Sequence, residues 1–213
     1  MAEDSKKTKE SARACLLQSA AKLFCKKGLD KTTTRDIAQE SKVNISMISY
    51  HFGGKEGLYK QVLMDFAQNI VSSGTEILES FAAHEMTKES FRNEISAIVN
   101  HMIQTRLKNP EICTMLSRDK IEGMPLSHEI HEQIYDPLVL KFLDLMATAQ
   151  TKKIVKPDIN PSLFFILMSE GIFGFFEVAA CKTTLADQYA GLVNEPENLK
   201  NQIVNIYLEG ILL

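Results

Sequence analysis

The chain has 213 residues, 45% hydrophobic and 24% charged, a composition typical of a globular protein that buries a core without metal or disulfides. The net charge of −3 hides an asymmetry, because residues 1–60 carry 12 Lys and Arg against 7 Asp and Glu. The basic N-terminal part suits contact with a polyanion, whereas the acidic remainder argues against nucleic acid wrapped around the whole molecule.

The cysteines and the apolar segments bear on the cellular compartment. The four cysteines lack the close spacing of a zinc site, so we expect reduced thiols in a cytoplasmic protein, and the charged N-terminus shows no signal peptide. Residues 163–181 are nearly long enough for a membrane span, but Glu170 and Glu177 would each cost on the order of 2.5 kcal/mol in hydrocarbon. We therefore predict a buried interface helix there and no membrane partner. The cysteines are Cys15, Cys25, Cys113 and Cys181.

Apolar residues recur at intervals of three and four through most of the chain, and this period predicts an all-helical fold. The first helix is expected at residues 11–27, where Gly28 supplies the stop signal. Thr33 or Thr34 can cap a short second helix, because a threonine hydroxyl accepts from the free amides of a helical first turn. The chain thus begins with a long helix followed by a short one.

A third helix and the start of a fourth follow closely. Asn44 is a good cap for a helix that ends near Phe52, and Gly53 and Gly54 interrupt it. Lys55 then opens a longer helix. We predict a three-helix domain at residues 1–55 and a larger helical domain at 56–213. The later helices are expected at about 88–107, 110–120, 127–150, 161–181 and 197–212.

The two short helices and their tight turn have the form of a helix-turn-helix, in which the second helix enters the DNA major groove. A helix over residues 44–52 would be roughly 13 Å long, which suits a groove about 12 Å wide. Ile48 and Phe52 would pack against Ile37 and the first helix. Chemistry assigns Ser46, Ser49, Ile45 and Met47 to base edges and Thr34, Arg35, Tyr50, His51 and Lys55 to phosphates.

The ordered motif T-x-R-D-I-A, then V-N-I-S-M-I-S-Y-H-F-G-G-K-E-G-L-Y, resembles the N-terminal DNA-binding domain of the TetR family of bacterial transcriptional regulators over about residues 11–60. Two departures stand out: Lys42 replaces a turn glycine, and Ser49 stands where tyrosine is common. Asn44 remains in the DNA-binding set as the cap. The resemblance implies base-reading roles for Arg35, Ile45, Ser46 and Ser49, and backbone contacts for Thr34, Met47, Tyr50, His51 and Lys55.

The resemblance also implies a homodimer, because the last two long helices of such proteins pair with their twins. Residues 161–181 would supply one stripe, and Ile211 would extend a second stripe near the C-terminus. The alternative is that both stripes belong to the core of a monomer. The predicted interface residues are Phe164, Met168, Gly171, Phe175, Ile203, Ile206 and Tyr207.

A small-molecule effector is the second partner that the resemblance implies. Arg106 lies near an apolar helical stripe and could bind an anionic ligand, although a solvent-facing or internally paired arginine is the alternative. Methionine and phenylalanine side chains could line an adaptable cavity, or belong to ordinary core. The candidates for this pocket are Met64, Met102, Arg106, Met115, Phe165 and Phe173. The segment TMLSRDKIEGMP with the later IYDPL is weakly similar to CecR-like regulators.

Together these features predict a cytoplasmic, DNA-binding, effector-responsive homodimer, a repressor on a pseudo-palindromic operator, with no cofactor and no catalytic residues. An interaction protein of the same fold that uses DNA as a scaffold is one alternative. The other is a metal sensor or metal-dependent enzyme, because His128 and His131 lie three apart and could share an ion with Glu132. No third ligand follows from the sequence, and no metal residue is assigned.

Overall fold

The computed structural model describes residues 2–82, 85–181, 183–184 and 186–213, and the side chains of all of these except 2–10, 82 and 186. The chain is 81% helical. Within the described ranges, extended structure is limited to one isolated antiparallel bridge between Val155 and Leu212. The all-helical prediction is therefore confirmed.

The helices follow the chain in the predicted order, with one addition. The segment Ala186–Val193, which the sequence pattern did not reveal, forms a short helix. The bounds are α1 Ala2–Lys31, α2 Thr34–Ser41, α3 Ser46–Phe52, α4 Lys55–Ala82, α5 Lys88–Lys108, α6 Pro110–Ile121, α7 His128–Ile130, α8 Asp136–Thr151, α9 Pro161–Ala179, α10 Ala186–Val193 and α11 Pro196–Leu208.

The chain divides into two compact units that are not continuous in sequence. Unit 1 comprises Met1–Asn69 and Asn109–Ile134, and unit 2 comprises Ile70–Lys108 and Tyr135–Leu213. These units group residues by contact, and the domain bounds expected above at 1–55 and 56–213 stay a prediction. Each unit has its own buried apolar core.

Unit 1 is built around the first three helices and includes α6. Leu16 and Phe24 of α1 are fully buried, as are Ile37 of α2 and Ile48 of α3. The ring of Phe24 meets the ring of Tyr59 edge-on at 5.0 Å between centroids. Burying such large apolar side chains stabilises the small helices that could not persist alone in water.

The long helix predicted between residues 127 and 150 is interrupted, which corrects the sequence-based bounds. A short helix, α7, is followed by a π-helical segment His131–Tyr135, and regular α-helix resumes at Asp136. Pro137 explains the break, because a proline lacks the amide for the helical hydrogen bond and its ring collides with the preceding turn. Helix α7 and the π-helical segment up to Ile134 belong to unit 1, whereas Tyr135 and α8 belong to unit 2.

Helix α9 stands out in unit 2 for its composition. By length and hydropathy it could cross a membrane, with a mean hydropathy of 1.6 over its most apolar window, and only 22% of that window is buried. One side carries Phe164, Met168 and Ile172 into the unit 2 core. The opposite side exposes Leu163, Ile166, Leu167 and Val178.

Candidate nucleic-acid interface

A reciprocal cap fixes the start of α2. The Thr33 hydroxyl accepts from the Asp36 amide at 3.1 Å, and the Asp36 carboxylate accepts from the Thr33 amide at 3.1 Å. These bonds, with the ion pair between Asp36 and Lys27 at 3.3 Å, lower the pKa of Asp36. Two amides that a helix leaves free are thus satisfied by side chains close in sequence, and Thr33 rather than Thr34 is the cap.

The turn between α2 and α3 places a lysine in a glycine-like conformation. Lys42 has φ 57° and ψ 26°, in the left-handed region where a side chain is strained. The Ser41 hydroxyl accepts from the Val43 amide at 3.3 Å and helps to close the turn. Lys42 therefore has the unfavourable backbone conformation that the sequence implied for a residue other than glycine. Its exposed side chain places a cation beside α3.

Asn44 caps the third helix through its side chain. Its Oδ1 atom accepts from the Ser46 amide at 2.9 Å and also from the Ser46 hydroxyl at 2.9 Å. The Ser46 proton is therefore committed to the cap, so its oxygen remains available only as an acceptor toward a base edge. This arrangement separates Ser46 from Ser49, which is exposed further along the same helix.

The outer face of α3 presents a mixed polar and apolar surface to solvent. Ile45 is 43% exposed and Tyr50 is 67% exposed, and Ser49 is exposed as well. Met47 is half-buried, while Ile48 faces the core. With only Ile48 of this helix fully buried, most of its other side chains can meet a partner surface.

The remaining predicted DNA contacts differ in their availability. Arg35 is exposed on α2 and Thr34 is half-buried at its first position. The Lys55 ammonium donates to the Leu29 carbonyl at 2.7 Å, which uses one of its three donors. His51 has a buried Nε2 atom with no hydrogen-bond partner among the described residues.

A glycine contact sets the distance between α3 and α4. A Cβ atom built on Gly57 would lie 1.9 Å from the Phe52 carbonyl oxygen and 3.0 Å from its carbonyl carbon. No backbone atom can yield that much without moving the helix end. Gly53 and Gly54 precede this contact with φ of 73° and 139°, values that favour glycine. Backbone conformation therefore explains the glycines at 53 and 54, whereas close packing explains the glycine at 57.

Helix α6 holds α1 from the side. The Arg118 guanidinium donates to the Cys25 carbonyl at 2.6 Å and to the Phe24 carbonyl at 3.2 Å. The Tyr59 hydroxyl donates to the Met115 carbonyl at 3.4 Å, and burial, followed by the charges of Asp119 and Glu122, raises the pKa of Tyr59 to about 12. Sequence reasoning missed Arg118 and Gly57, because their partners are determined by packing.

The residues predicted for an effector pocket are divided between the two units, and the pocket stays a prediction. Met64 and Met115 belong to unit 1, where Met115 is only 1% exposed, and the other four belong to unit 2. The Arg106 guanidinium donates to Glu177 at 3.1 Å and lies 4.8 Å above the ring of Phe173. Arg106 therefore has an internal carboxylate, which was the alternative to ligand binding. The unit 2 candidates are Met102, Arg106, Phe165 and Phe173.

The predicted dimer residues also divide between core and surface. Phe164, Met168 and Ile203 are buried in the unit 2 core, as is Ile211, and their place in a dimer interface stays a prediction. Ile206 is 72% exposed, and Phe175 is half-buried. The exposed apolar face of α9 is the opposite one, where Leu163, Ile166, Leu167 and Val178 lie.

Gly171 has a partner inside the chain. A Cβ atom there would lie 2.4 Å from the Tyr207 hydroxyl oxygen, and that hydroxyl donates to the Leu167 carbonyl at 2.7 Å. Burial raises the pKa of Tyr207. Because Gly171 has no side chain, Tyr207 of α11 can pack closely against α9. The close approach that the sequence predicted at this glycine is therefore made within the chain.

The paired histidines do not form a metal centre with neighbouring side chains. His128 Nδ1 lies 3.6 Å from Glu132 Oε2, and both side chains are 62% exposed. Across the described side chains, no three His, Cys, Asp or Glu residues group as metal ligands. The four cysteines, all within the described residues, form no disulfide, and Cys113 is buried.

Comparison with known proteins decides the family. A family model described as bacterial regulatory proteins, tetR family, matches residues 16–62, the segment that contains α2, α3 and the Gly57 contact. The helix-turn-helix domain of this chain belongs to the TetR family. The helix-turn-helix described above is therefore the DNA-binding domain of that family.

Two curated relatives extend this TetR assignment beyond the motif. The HTH-type transcriptional dual regulator CecR of Shigella flexneri is 30% identical over 135 residues, which cover 61% of this chain and 60% of that protein. The HTH-type transcriptional repressor KstR2 of Mycolicibacterium smegmatis is 36% identical over 80 residues, 38% of this chain and 39% of that protein. The chain thus spans 60% of the length of CecR and less of KstR2. The relatives are regulators, and the enzyme alternative finds no support among them.

Solved structures of other TetR proteins cover nearly the whole chain. The ketosteroid transcriptional regulator KstR2 of Mycobacterium tuberculosis matches with a TM-score of 0.69 at 16% identity, over 94% of this chain and 95% of that one. A TetR family regulator from Marinobacter aquaeolei VT8 matches with a TM-score of 0.69 at 13% identity, over 97% and 98%. At these identities the likeness shows the fold, including the helical second part.

Proposed function

We propose that this TetR-family chain is a cytoplasmic, sequence-specific DNA-binding regulator of transcription that acts as a homodimer on a pseudo-palindromic operator. The observation that carries the proposal is the exposed outer face of α3, held by the Asn44 cap and the Gly57 contact. A recognition helix needs a fixed orientation and one free face, and the cap, the close contact and the exposed side chains support that role for α3. The basic N-terminal part supplies the attraction to phosphate.

The residues fall into two groups by what their contacts leave free. Ser49 and Ile45 are exposed on α3 and suit base edges, one through a hydroxyl and one through a methyl contact with thymine. Arg35, Tyr50 and Lys42 are exposed nearby and suit either bases or phosphates. Lys42 was not among the predicted contacts, and its left-handed conformation at the turn brings a cation to the start of α3.

Dimer formation has support in the exposed face of α9. Leu163, Ile166 and Leu167 are each more than half exposed, and Ile206 of α11 is exposed to a greater extent. A monomer would leave these apolar side chains in water. Burying them against a second copy would stabilise a dimer by about 25 cal/mol for each Å² of apolar surface removed from water. Two copies would place two recognition helices on one duplex.

A small-molecule effector that releases the operator, with repression as the outcome, completes the proposal. Relatives are named as repressors in KstR2 and as a dual regulator in CecR. An effector must bind the DNA-free conformation better than the DNA-bound one, since only a difference in affinity shifts the equilibrium. The sign of regulation is then read from the change in transcript on deletion.

The test is binding of the purified chain to the DNA upstream of its own gene and its neighbours, titrated at two salt concentrations. A footprinted palindrome, with affinity that falls steeply as salt rises, is the expected result. Ser49→Ala should change the ranking of operator variants, because it removes a base contact. Ser162→Ala is the matched control, since Ser162 is an exposed serine of α9.

Two results would count against the proposal. If Ser49→Ala and Ser162→Ala leave the ranking of sequences equally unchanged, α3 does not read bases through Ser49. If the chain binds every duplex alike at both salt concentrations and sites are scattered, the scaffold alternative replaces operator-specific regulation.

A further inference from the structure

A cavity of about 500 Å³ opens in unit 2, lined by the C-terminal part of α4, the segment leading into α5 and α8. Small-molecule sites have volumes of about 300–1,000 Å³, so the cavity can hold a compact organic molecule. Its apolar wall comes from Leu78, Phe81, Met86 and Leu145. None of the residues predicted for an effector pocket lines it.

A buried carboxylate with no bonded partner among the described residues lies in this cavity. Glu94 lines it and is only 6% exposed. In the described part of the chain, no donor or cation is bonded to the Glu94 side chain. Buried charges in proteins are normally paired, because removing a carboxylate from water without compensation costs several kcal/mol. Glu94 therefore needs a cation or a proton.

Burial raises the pKa of Glu94 to about 7. Burial disfavours the ionised form because it removes the carboxylate from water. Near neutral pH the side chain is divided between its two forms, so a bound cation would shift it toward the carboxylate.

The neighbouring lysines do not neutralise Glu94. The Lys141 ammonium is held by Glu79 at 2.8 Å, and Lys152 is exposed at the rim. Four acidic side chains and two basic ones line the cavity, so its charge favours a positive ligand. They are Glu79, Glu85, Glu94 and Asp144 against Lys141 and Lys152.

We propose that this cavity binds a protonated amine with an apolar body, whose ammonium group pairs with the Glu94 carboxylate while its body packs against Leu78, Phe81 and Leu145. The ammonium supplies the N–H donors that the carboxylate lacks, and the pair forms in a site shielded from water, where it is strong. The further step, that such an amine is the effector, rests on the proposed function.

The experiment compares two amines with alcohols of the same skeleton, by calorimetry on the full chain at about pH 8, where Glu94 is largely ionised. The probes are tryptamine against tryptophol and phenethylamine against 2-phenylethanol. Each amine should bind about tenfold or more tightly than its alcohol, since a charge pair in a buried site is worth at least 1.4 kcal/mol. Lowering the pH to about 6 should weaken amine binding, because Glu94 becomes protonated.

Two variants assign the effect to one side chain. Glu94→Gln keeps the shape and removes the charge, so it should abolish the preference for amine over alcohol. Glu89→Gln is the matched control, because Glu89 is exposed on the same helix and does not line the cavity. Circular dichroism confirms that both variants are folded before their affinities are compared.

Several results would overturn the proposal. They are failure of both amines to bind below roughly 1 mM, equal affinity for amine and alcohol, or an unchanged preference in Glu94→Gln. DNA binding is measured in parallel. If the amine binds through Glu94 and leaves DNA affinity unchanged, the site stands and its role as effector site fails. If no duplex is bound specifically, the proposed function fails while the calorimetry still decides the site.

Discussion

Unit 1 and unit 2 differ in how the polar groups near their candidate binding surfaces are hydrogen-bonded. In unit 1, side chains close in sequence satisfy the free amides at the starts of α2 and α3, as in the Thr33 and Asp36 cap and the Asn44 and Ser46 cap. In unit 2, Glu94 is buried with no bonded partner among the described residues, and α9 exposes an apolar face. Ordered caps at the recognition helix suit the proposed binding to DNA, whereas the buried carboxylate and the exposed apolar face of unit 2 support the proposals that a ligand and a second copy bind there.

The largest expected effect comes from a substitution in unit 1 that disturbs the contact between α3 and α4. Gly57→Ala places a methyl group 1.9 Å from the Phe52 carbonyl oxygen, so α3 must move or its last turn must open. We expect the free energy of unfolding to fall by about 2–4 kcal/mol. DNA affinity should fall by about 100-fold or more, since the recognition helix is displaced. Urea denaturation and DNA titration measure the two effects.

Gly191→Ala is the control for this substitution. Gly191 lies in α10 with nothing within 4 Å of its added Cβ, so alanine should be neutral or slightly stabilising. Equal losses in both variants would mean that helical glycines in general, rather than the contact with Phe52, carry the effect.

The second effect concerns the exposed face of unit 2. Leu167 is 55% exposed, so Leu167→Glu costs a monomer little but places a charge in the proposed dimer interface. We expect a monomer in analytical ultracentrifugation and a loss of operator affinity of about 100-fold, because two linked helices bind a palindrome far more tightly than one. Ile121→Glu, at a side chain 85% exposed in unit 1, should stay dimeric. A dimeric Leu167→Glu variant would place the interface elsewhere.

The third effect tests the unpaired carboxylate through the pH dependence of stability. The folded pKa of Glu94, about 7, lies above the ordinary value of 4.5, so the folded chain binds more protons between these values. Its contribution to stability is therefore greatest at low pH and is lost as pH rises through about 7. Glu94→Gln should remove this loss and raise the free energy of unfolding at about pH 8 by on the order of 1–3 kcal/mol.

Urea denaturation at several pH values between about 5 and 8 measures this effect, with Glu89→Gln as the matched variant. The two variants should differ most at the alkaline end and least at the acidic end. If the free energy of unfolding changed with pH in the same way in both variants, the pKa of Glu94 would be an ordinary one and its carboxylate would have a partner in solution.

The smallest effect concerns the turn before the recognition helix. Lys42→Gly relieves the left-handed conformation at φ 57°, and we expect a gain of about 0.5–1 kcal/mol in the free energy of unfolding. The same change removes an exposed cation, so the salt dependence of DNA binding should become shallower by about one counterion if Lys42 contacts phosphate. Lys22→Gly, at an exposed position in the interior of the part of α1 that precedes Gly28, should instead destabilise by about 1 kcal/mol. A loss of stability in Lys42→Gly would mean that the lysine side chain stabilises the turn.

Features could be predicted from the sequence when the residues that determine them lie close together along the chain. The cap of Thr33, the break at Gly53 and Gly54 and the start of α4 at Lys55 were predicted because all their determinants lie within a few residues. The short helix α10 was missed because its eight residues carry too few apolar repeats for a period to show.

The sequence by itself determined the all-helical architecture, the helix-turn-helix and the exposed positions of α3, because helical periodicity and capping act over three or four residues. Only the tertiary structure decided which side of α9 enters the core, since apolar residues surround that helix and both sides satisfy the same pattern. It also decided that Arg106 pairs with Glu177 and that Glu94 pairs with nothing among the described side chains. Pairing across 71 positions of sequence depends on how helices pack, and no local pattern encodes it.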